Sequence, residues 1–218
     1  FNGLKNEIGA FAPANSVLIE TEFLRTLDAY NFFSGYAEML KHGLISNTAH
    51  WVELLNFNTS NIDYTALKQL VGQSVQVKEN IVEQDPFEHG IRKALNLGHT
   101  VGHAFESMAL AEERPVLHGY AVAWGIVCEL YLSHLKVDFP KEKMRQTIQF
   151  IKDNYGVFTF DCKKYDQLYA FMTHDKKNTS GTINFTLLKD IGDICINQTA
   201  DKDTIFEMLD FYRECMGI

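Results

Sequence analysis

The sequence lacks the features of a membrane-bound, secreted or disulfide-stabilised protein. No apolar run approaches the roughly 20 residues that a membrane-spanning helix needs, and no signal peptide is recognisable at the N-terminus. The four cysteines are scattered without Cys-x-x-Cys spacing, which argues against a zinc knuckle or a disulfide framework. We find no internal repeat and no low-complexity segment. The sequence therefore predicts reduced thiols, a cytoplasmic location and no membrane partner.

Positive charge is also scarce. The chain has 20 Lys and Arg against 28 Asp and Glu, which gives a formal net charge of −8 at pH 7. This balance argues against a nucleic acid or an anionic membrane as the main partner. An anionic small molecule would have to be bound by a local cluster of basic side chains.

The sequence does contain enough apolar residues for a sizeable core, 46% of 218 residues. This length suits one large domain, or one domain with a piece of another. The chain begins at Phe1 without Met, in a loop-like stretch. We therefore expect it to be part of a longer protein.

Local patterns predict a mainly α fold with one small β-hairpin. Apolar residues recur at helical spacing between clusters of Gly, Pro and Asn. Two strand-like runs near 182–188 and 193–197 predict the hairpin, and a short apolar run at 16–20 predicts one more, buried strand. The predicted helices cover 32–45, 51–84 with a break at 56–61, 95–111, 120–135, 140–154, 164–173 and 201–215.

The most informative stretch is 95–106, Leu-Asn-Leu-Gly-His-Thr-Val-Gly-His-Ala-Phe-Glu. On one continuous helix His99 and His103 would share a face, with the preceding Asn and the following Glu leaning towards it. Gly98 and Gly102 repeat the same spacing on a neighbouring stripe, where another backbone or a ligand could approach closely. Two imidazoles four residues apart often bind one divalent metal. The alternative is that both histidines only form hydrogen bonds in the core or face solvent.

A carboxylate and an ammonium group, Glu38 and Lys41, lie within the otherwise apolar helix predicted at 32–45. A carboxylate in such surroundings must be paired, metal-bound or protonated, because burying a bare charge is costly. The simpler interpretation is an ion pair on a solvated face. His118 opens the apolar helix that follows, where it could reach a neighbouring cleft or only cap the helix. One carboxylate with two or three imidazoles could form an open divalent-metal site.

Five segments resemble the 3-dehydroquinate synthase family of sugar-phosphate cyclases. They occur in the family's order and span nearly the whole chain. The pattern Leu-Asn-x-Gly-His-x-x-Gly-His is highly specific for these cyclases. The segments are 3–11, 35–43, 92–106, 117–119 and 175–177.

The resemblance implies a role for each matching residue. Glu38, His99 and His118 would bind a catalytic Zn²⁺ or Co²⁺. His103 would assist proton transfer beside the metal. Lys41 and Asn96 would take part in catalysis and also bind the substrate. The residues that would hold the hydroxyls and anionic groups of the substrate are Lys41, Asn96, Lys78, Arg92, Lys5, Asn6, Lys176 and Lys177.

The implied reaction is the metal- and NAD-dependent conversion of 3-deoxy-D-arabino-heptulosonate 7-phosphate, a small anionic sugar phosphate, to 3-dehydroquinate and phosphate in the shikimate pathway. The family fold places a Rossmann-like nucleotide-binding domain before a mainly helical metal domain, and implies a homodimer. This chain has no Gly-Gly-Gly nucleotide fingerprint. We therefore expect 1–20 to be a junction segment and 21–218 the helical metal- and substrate-binding domain. Without the Rossmann-like domain, the chain alone should bind metal but not turn over.

Three alternatives remain at this stage. A sister cyclase, such as 2-deoxy-scyllo-inosose synthase, would use the same scaffold on a different sugar phosphate. A non-catalytic metal-binding or dimerisation domain would have no nucleotide-binding sequence upstream. A metal-dependent polyol dehydrogenase of the wider superfamily would lack the surroundings of Lys41 and Asn96.

Overall fold

The computed structural model describes residues 14–173 and 182–218. Within these ranges the fold is mainly helical, with one two-stranded antiparallel sheet, so the predicted fold class is confirmed. Short 3-10 helices cover Thr21–Thr26, Ile91–Asn96 and Cys162–Lys164. The longer elements are α1 (Ala29–Ser46), α2 (Thr48–Asn56), α3 (Tyr64–Gln84), α4 (His99–Ala111), α5 (His118–Val137), α6 (Lys141–Tyr155), α7 (Tyr165–Thr173), β1 (Asn184–Asp190), β2 (Asp193–Thr199) and α8 (Lys202–Met216).

Helix α5 lies at the centre of the domain because its sequence is apolar on every face. All residues from 121 to 130 are buried. Helices α1, α4, α6 and α8 and strand β1 pack around it. Among the described residues, none of the helices combines the length and apolar character that crossing a membrane would require.

The backbones of helices α4 and α5 are in contact because glycines line the interface between the two helices. A Cβ atom on Gly125 would lie 2.0 Å from the carbonyl oxygen of Gly98, and one on Gly102 would lie 2.9 Å from that of Ala121. Gly98 and Gly102 were predicted to admit another backbone or a ligand. The neighbour is the backbone of α5.

The prediction of one continuous helix from residue 95 is wrong. Gly98 adopts a left-handed conformation, with φ 77°, and the helix begins only at His99. Residues before Gly98 form the separate 3-10 helix Ile91–Asn96. Asn96 therefore precedes the histidine helix instead of lying on its face.

The strand predicted at 16–20 is also wrong. Val17 and Leu18 are 77% and 96% exposed, and the segment passes directly into the first 3-10 helix. A strand needs a partner for its backbone groups and a surface for its apolar side chains. Strands β1 and β2 pair with each other, and within the described ranges neither pairs with this segment.

Candidate metal centre

Helix α1 brings Glu38 and Lys41 to one side of the domain. The helix begins at an N-cap, Asp28, whose side chain accepts the backbone N–H of Asn31. The spacing of three residues places the ammonium group of Lys41 in hydrogen-bond contact with Glu38 Oε2. The Lys41 side chain is only 4% exposed, against 32% for Glu38. This buried contact contradicts the simpler interpretation of a solvated surface pair.

Helices α4 and α5 place three imidazole rings together. His99 and His103 lie one turn apart on α4, and His118 is the first residue of α5. Ring centroids are 5.4 Å apart for His99 and His103, 5.2 Å for His99 and His118, and 5.7 Å for His103 and His118. The three rings share one small volume beside α1.

Two of these imidazoles converge on the carboxylate of Glu38. Its Oε1 atom lies 3.5 Å from His99 Nε2 and 3.4 Å from His118 Nε2. Ligand atoms around a tetrahedral Zn²⁺, each about 2.0–2.1 Å from the metal, are separated by about 3.3 Å. The donor types and their separations therefore fit a divalent cation.

The far nitrogen of each of these two rings also has a hydrogen-bond partner. His118 Nδ1 lies 3.2 Å from Glu106 Oε2, and His99 Nδ1 lies 3.1 Å from the carbonyl oxygen of Leu97. Because both partners are acceptors, each ring can keep its proton on Nδ1 while Nε2 binds a cation. Metal-binding histidines are commonly oriented in this way.

The electrostatics of the cluster favour added positive charge. Burial opposes the ionised form of Glu38, but the interactions with His118 and His99 and the charge of Lys41 hold its pKa well below the usual range. Hydrogen bonds to Glu106 and Glu38 raise the pKa of His118 to about 9. A site that stabilises a proton on imidazole to this degree also stabilises a cation bound in its place.

The structure leaves two possible ligand sets. The nitrogens of His99, His103 and His118 lie within 4.8 Å of one another and could together hold an ion. The set with Glu38 in place of His103 has the donor separations of 3.4 and 3.5 Å given above and supplies one negative charge. We favour the set with Glu38, because a carboxylate already ionised at neutral pH needs no proton loss to bind a metal.

The other predicted residues in the described ranges lie on α3 and on the 3-10 helix Ile91–Asn96. Lys78 is exposed on α3. Burial lowers the pKa of Lys41, and the positive charge of Lys78 lowers it further, so the two ammonium groups are close enough to interact. Arg92 donates to the carbonyl oxygen of Pro86 from the same 3-10 helix that carries Asn96. Lys5, Asn6, Lys176 and Lys177 lie outside the described residues.

Sequence reasoning missed three carboxylates. Glu88 accepts a hydrogen bond from Asn96 Nδ2 at 2.7 Å and has a left-handed backbone, with φ 61°. Glu106 was placed near the histidine face but given no role, although it contacts His118. Glu129, fully buried on α5, was not singled out. The sequence offers two weak signals, a Glu one turn after His103 and a Glu inside an apolar helix, and none that singles out Glu88.

Comparison with known proteins decides the family. The sequence profile described as 3-dehydroquinate synthase C-terminal matches residues 35–178, which include most of α1 and all of α4 and α5. The chain belongs to the 3-dehydroquinate synthase family. The family resemblance of the sequence motifs is thereby confirmed.

Two relatives illustrate the similarity of the chain to proteins named 3-dehydroquinate synthase. The 3-dehydroquinate synthase of Parabacteroides distasonis is 59% identical over 218 residues, covering 100% of this chain and 62% of the relative. That of Oceanobacillus iheyensis is 38% identical over 213 residues, covering 97% of this chain and 58% of the relative. The chain thus spans about three fifths of the length of these relatives.

Solved structures share the fold of the family domain. A 2-epi-5-epi-valiolone synthase from Streptomyces hygroscopicus, solved with NAD⁺ and Zn²⁺ bound, aligns with a TM-score of 0.85 at 23% identity, covering 98% of this chain and 60% of that one. A 2-deoxy-scyllo-inosose synthase complexed with carbaglucose-6-phosphate, NAD⁺ and Co²⁺ aligns with a TM-score of 0.78 at 22% identity, covering 98% and 59%. At these identities the likeness concerns the fold alone.

Proposed function

We propose that the protein containing this chain converts 3-deoxy-D-arabino-heptulosonate 7-phosphate to 3-dehydroquinate and phosphate. The observation that carries the proposal is the convergence of Glu38, His99 and His118 beside the buried ammonium group of Lys41. Family membership supports the same reaction. The enzyme would be a lyase, because its substrate loses phosphate as a carbon–oxygen bond breaks.

Glu38, His99 and His118 would hold Zn²⁺ or Co²⁺ and leave coordination positions open for substrate oxygens. When bound, the metal acidifies a substrate hydroxyl, and NAD⁺ accepts a hydride and later returns it. Glu106 and the Leu97 carbonyl group orient two of these ligands. We assign nucleotide binding mainly to sequence outside this chain, so that the 218 residues alone would bind metal but not turn over.

The basic residues would bind the two anionic groups of the substrate. The ammonium groups of Lys41 and Lys78 are close enough to interact, and Arg92 lies in the 3-10 helix that precedes His99. We propose that Lys5, Asn6, and one of Lys176 and Lys177, complete this set. Such a cluster explains how a chain with a net charge of −8 can bind an anion.

Asn96 would bind a hydroxyl of the substrate, and His103 would transfer a proton to or from it. Asn96 Nδ2 donates to Glu88, and an amide side chain of this kind can donate to and accept from the hydroxyls of a sugar. His103 lies beside both proposed ligand histidines. That position suits an imidazole that moves a proton to or from the reacting sugar. We also propose that the whole enzyme works as a cytoplasmic homodimer.

A phosphate-release assay on the complete protein tests the proposed substrate. It is run with 3-deoxy-D-arabino-heptulosonate 7-phosphate and, separately, with glucose 6-phosphate, of which carbaglucose-6-phosphate is an analogue. We expect NAD⁺-dependent phosphate release from the first substrate only, because Arg92 and the lysines suit a substrate that bears a carboxylate as well as a phosphate. Release from glucose 6-phosphate alone would identify a sister cyclase instead.

His103→Ala separates proton transfer from metal binding. We expect one metal per chain to remain bound, while turnover of the complete enzyme falls at least about 100-fold, the usual contribution of a general acid or base. Metal content is measured by mass spectrometry and turnover by phosphate release. The control is His134→Ala on α5, about 24 Å along the helix from His118, which should keep both. Loss of metal from His103→Ala would make His103 a ligand and contradict our assignment.

A further inference from the structure

Glu129 is a carboxylate at the centre of the domain that the proposed reaction does not use. It lies in the middle of α5 and is 0% exposed. Burying an ionised carboxylate is costly unless hydrogen bonds compensate for the lost hydration. The groups that Glu129 contacts therefore indicate what it does.

Its oxygens accept hydrogen bonds from the backbone at the start of α4. Gly98 N lies 2.6 Å from Oε2, and Val101 N lies 3.3 Å from Oε1. The first N–H groups of a helix have no partner within the helix, and Gly98, as N-cap, has no side chain with which to satisfy them. Glu129 thus caps α4 from a neighbouring helix, where its charge also complements the helix dipole.

The close approach of the two helices makes this contact possible. Gly125, four residues before Glu129 and hence on the same face of α5, has its Cα so near Gly98 that no Cβ would fit. Gly98 in turn has φ 77°, and an added Cβ would lie 2.6 Å from Ile126 Cγ1. A left-handed glycine on α4 and a small residue on α5 let the carboxylate reach the backbone.

The peptide group between Leu97 and Gly98 links Glu129 to His99. Its N–H donates to Glu129, and its carbonyl oxygen, on the other side of the same planar group, lies 3.1 Å from His99 Nδ1. Hydrogen bonds in such a chain polarise one another. A negative charge on the N–H side makes the carbonyl oxygen a stronger acceptor for the His99 Nδ1 proton.

We propose that Glu129 is a positioning residue for His99 and acts through the Leu97–Gly98 peptide group. It strengthens the contact of the Leu97 carbonyl oxygen with Nδ1, so that Nε2 is the nitrogen left for a cation shared with Glu38. The Nδ1 atom of His118 has a direct carboxylate partner in Glu106, whereas Nδ1 of His99 meets a carbonyl oxygen with Glu129 on the far side of the same peptide group. The metal-binding role of His99 rests on the proposed function; its orientation by Glu129 rests on these contacts.

The test uses Glu129→Gln in the complete protein, which keeps the shape of the side chain and removes its charge. Nitrogen-15 NMR of labelled histidines gives the tautomer of His99 without metal, and competition with a chelator gives the Zn²⁺ affinity. We expect a larger fraction of the Nε2–H tautomer of His99. We also expect a Zn²⁺ affinity about tenfold lower, because losing a residue that orients a metal ligand typically has an effect of about this size. The control is Ser133→Ala, since Ser133 is fully buried one turn away and donates to the Glu129 carbonyl oxygen. It should lower stability and change neither readout.

A folded Glu129→Gln protein with the His99 tautomer and Zn²⁺ affinity of the wild type would overturn the proposal. If Glu129→Gln does not fold, Glu129→Asp replaces it, because Asp keeps the charge but is shorter by one methylene. The shorter side chain withdraws the carboxylate from Gly98 N, which lies 2.6 Å from Glu129 Oε2, so an unchanged His99 tautomer in Glu129→Asp would likewise overturn the proposal. If the wild type binds no Zn²⁺ yet the tautomer changes, the proposed function fails and the positioning role of Glu129 stands.

Discussion

Replacing His118 by Ala should lower the affinity of the complete protein for Zn²⁺ at least tenfold. His118 Nε2 is one of the two imidazole donors that converge on Glu38 Oε1. Changes to residues that merely support a metal ligand cost about 10–100-fold in affinity, so loss of the ligand itself should cost no less. The variant also removes the contacts of His118 with the Glu106 and Glu38 carboxylates. Chelator competition at fixed pH and ionic strength measures the effect.

His134→Ala is the matched control for this change. It removes an imidazole from the same helix, but at the opposite end, where His134 Nδ1 contacts the Phe139 carbonyl oxygen. We expect its Zn²⁺ affinity to match the wild type within about twofold. Equal affinities for His118→Ala and the wild type would remove His118 from the ligand set.

Gly125→Ala should destabilise the domain strongly. The new Cβ would lie 2.0 Å from the Gly98 carbonyl oxygen and 2.7 Å from the Gly102 nitrogen. Both are backbone atoms and cannot move aside without shifting α4. Overpacking of this kind costs about 1–3 kcal/mol or more in the free energy of unfolding, against about 1 kcal/mol recovered by removing a helical glycine. The Zn²⁺ affinity should fall as well, because α4 carries His99.

Gly72→Ala provides the comparison for Gly125→Ala. Gly72 lies within α3, and a Cβ built there has no neighbouring heavy atom within 4 Å. The substitution should therefore raise the free energy of unfolding by about 0.5–1 kcal/mol, the usual cost of glycine in a helix. Denaturant unfolding of both variants measures the two effects. Equal stabilisation by both changes would mean that α4 and α5 are not in backbone contact.

The helices and the hairpin could be predicted because their signals are local. The apolar run of α5, the hairpin turn and the four-residue spacing of His99 and His103 are all readable within a short window. The start of α4 could not be predicted from a short window, because the left-handed turn at Gly98 is set by the close packing of α5, about 25 residues later in sequence. An isolated glycine at helical spacing carries no sign of that conformation.

The candidate site divides in the same way. Spacing and sequence context indicated a metal pair on α4 with Glu38 and His118 as further candidates, and the family resemblance selected Glu38, His99 and His118 as the ligands. The partners that orient the histidines were not predictable, because they depend on contacts across the fold. His118 and Glu106 lie on different helices, and Glu129 acts on His99 through a peptide group. No local pattern records such a geometry.

Anomalous X-ray diffraction at the zinc edge, from crystals of the complete protein grown with Zn²⁺, tests the central claim most directly. We expect one strong peak per chain, about 2.0–2.2 Å from Glu38 Oε1, His99 Nε2 and His118 Nε2, with His103 outside bonding distance. A peak bonded to His103 in place of Glu38, or no peak among these residues at saturating Zn²⁺, would contradict the account.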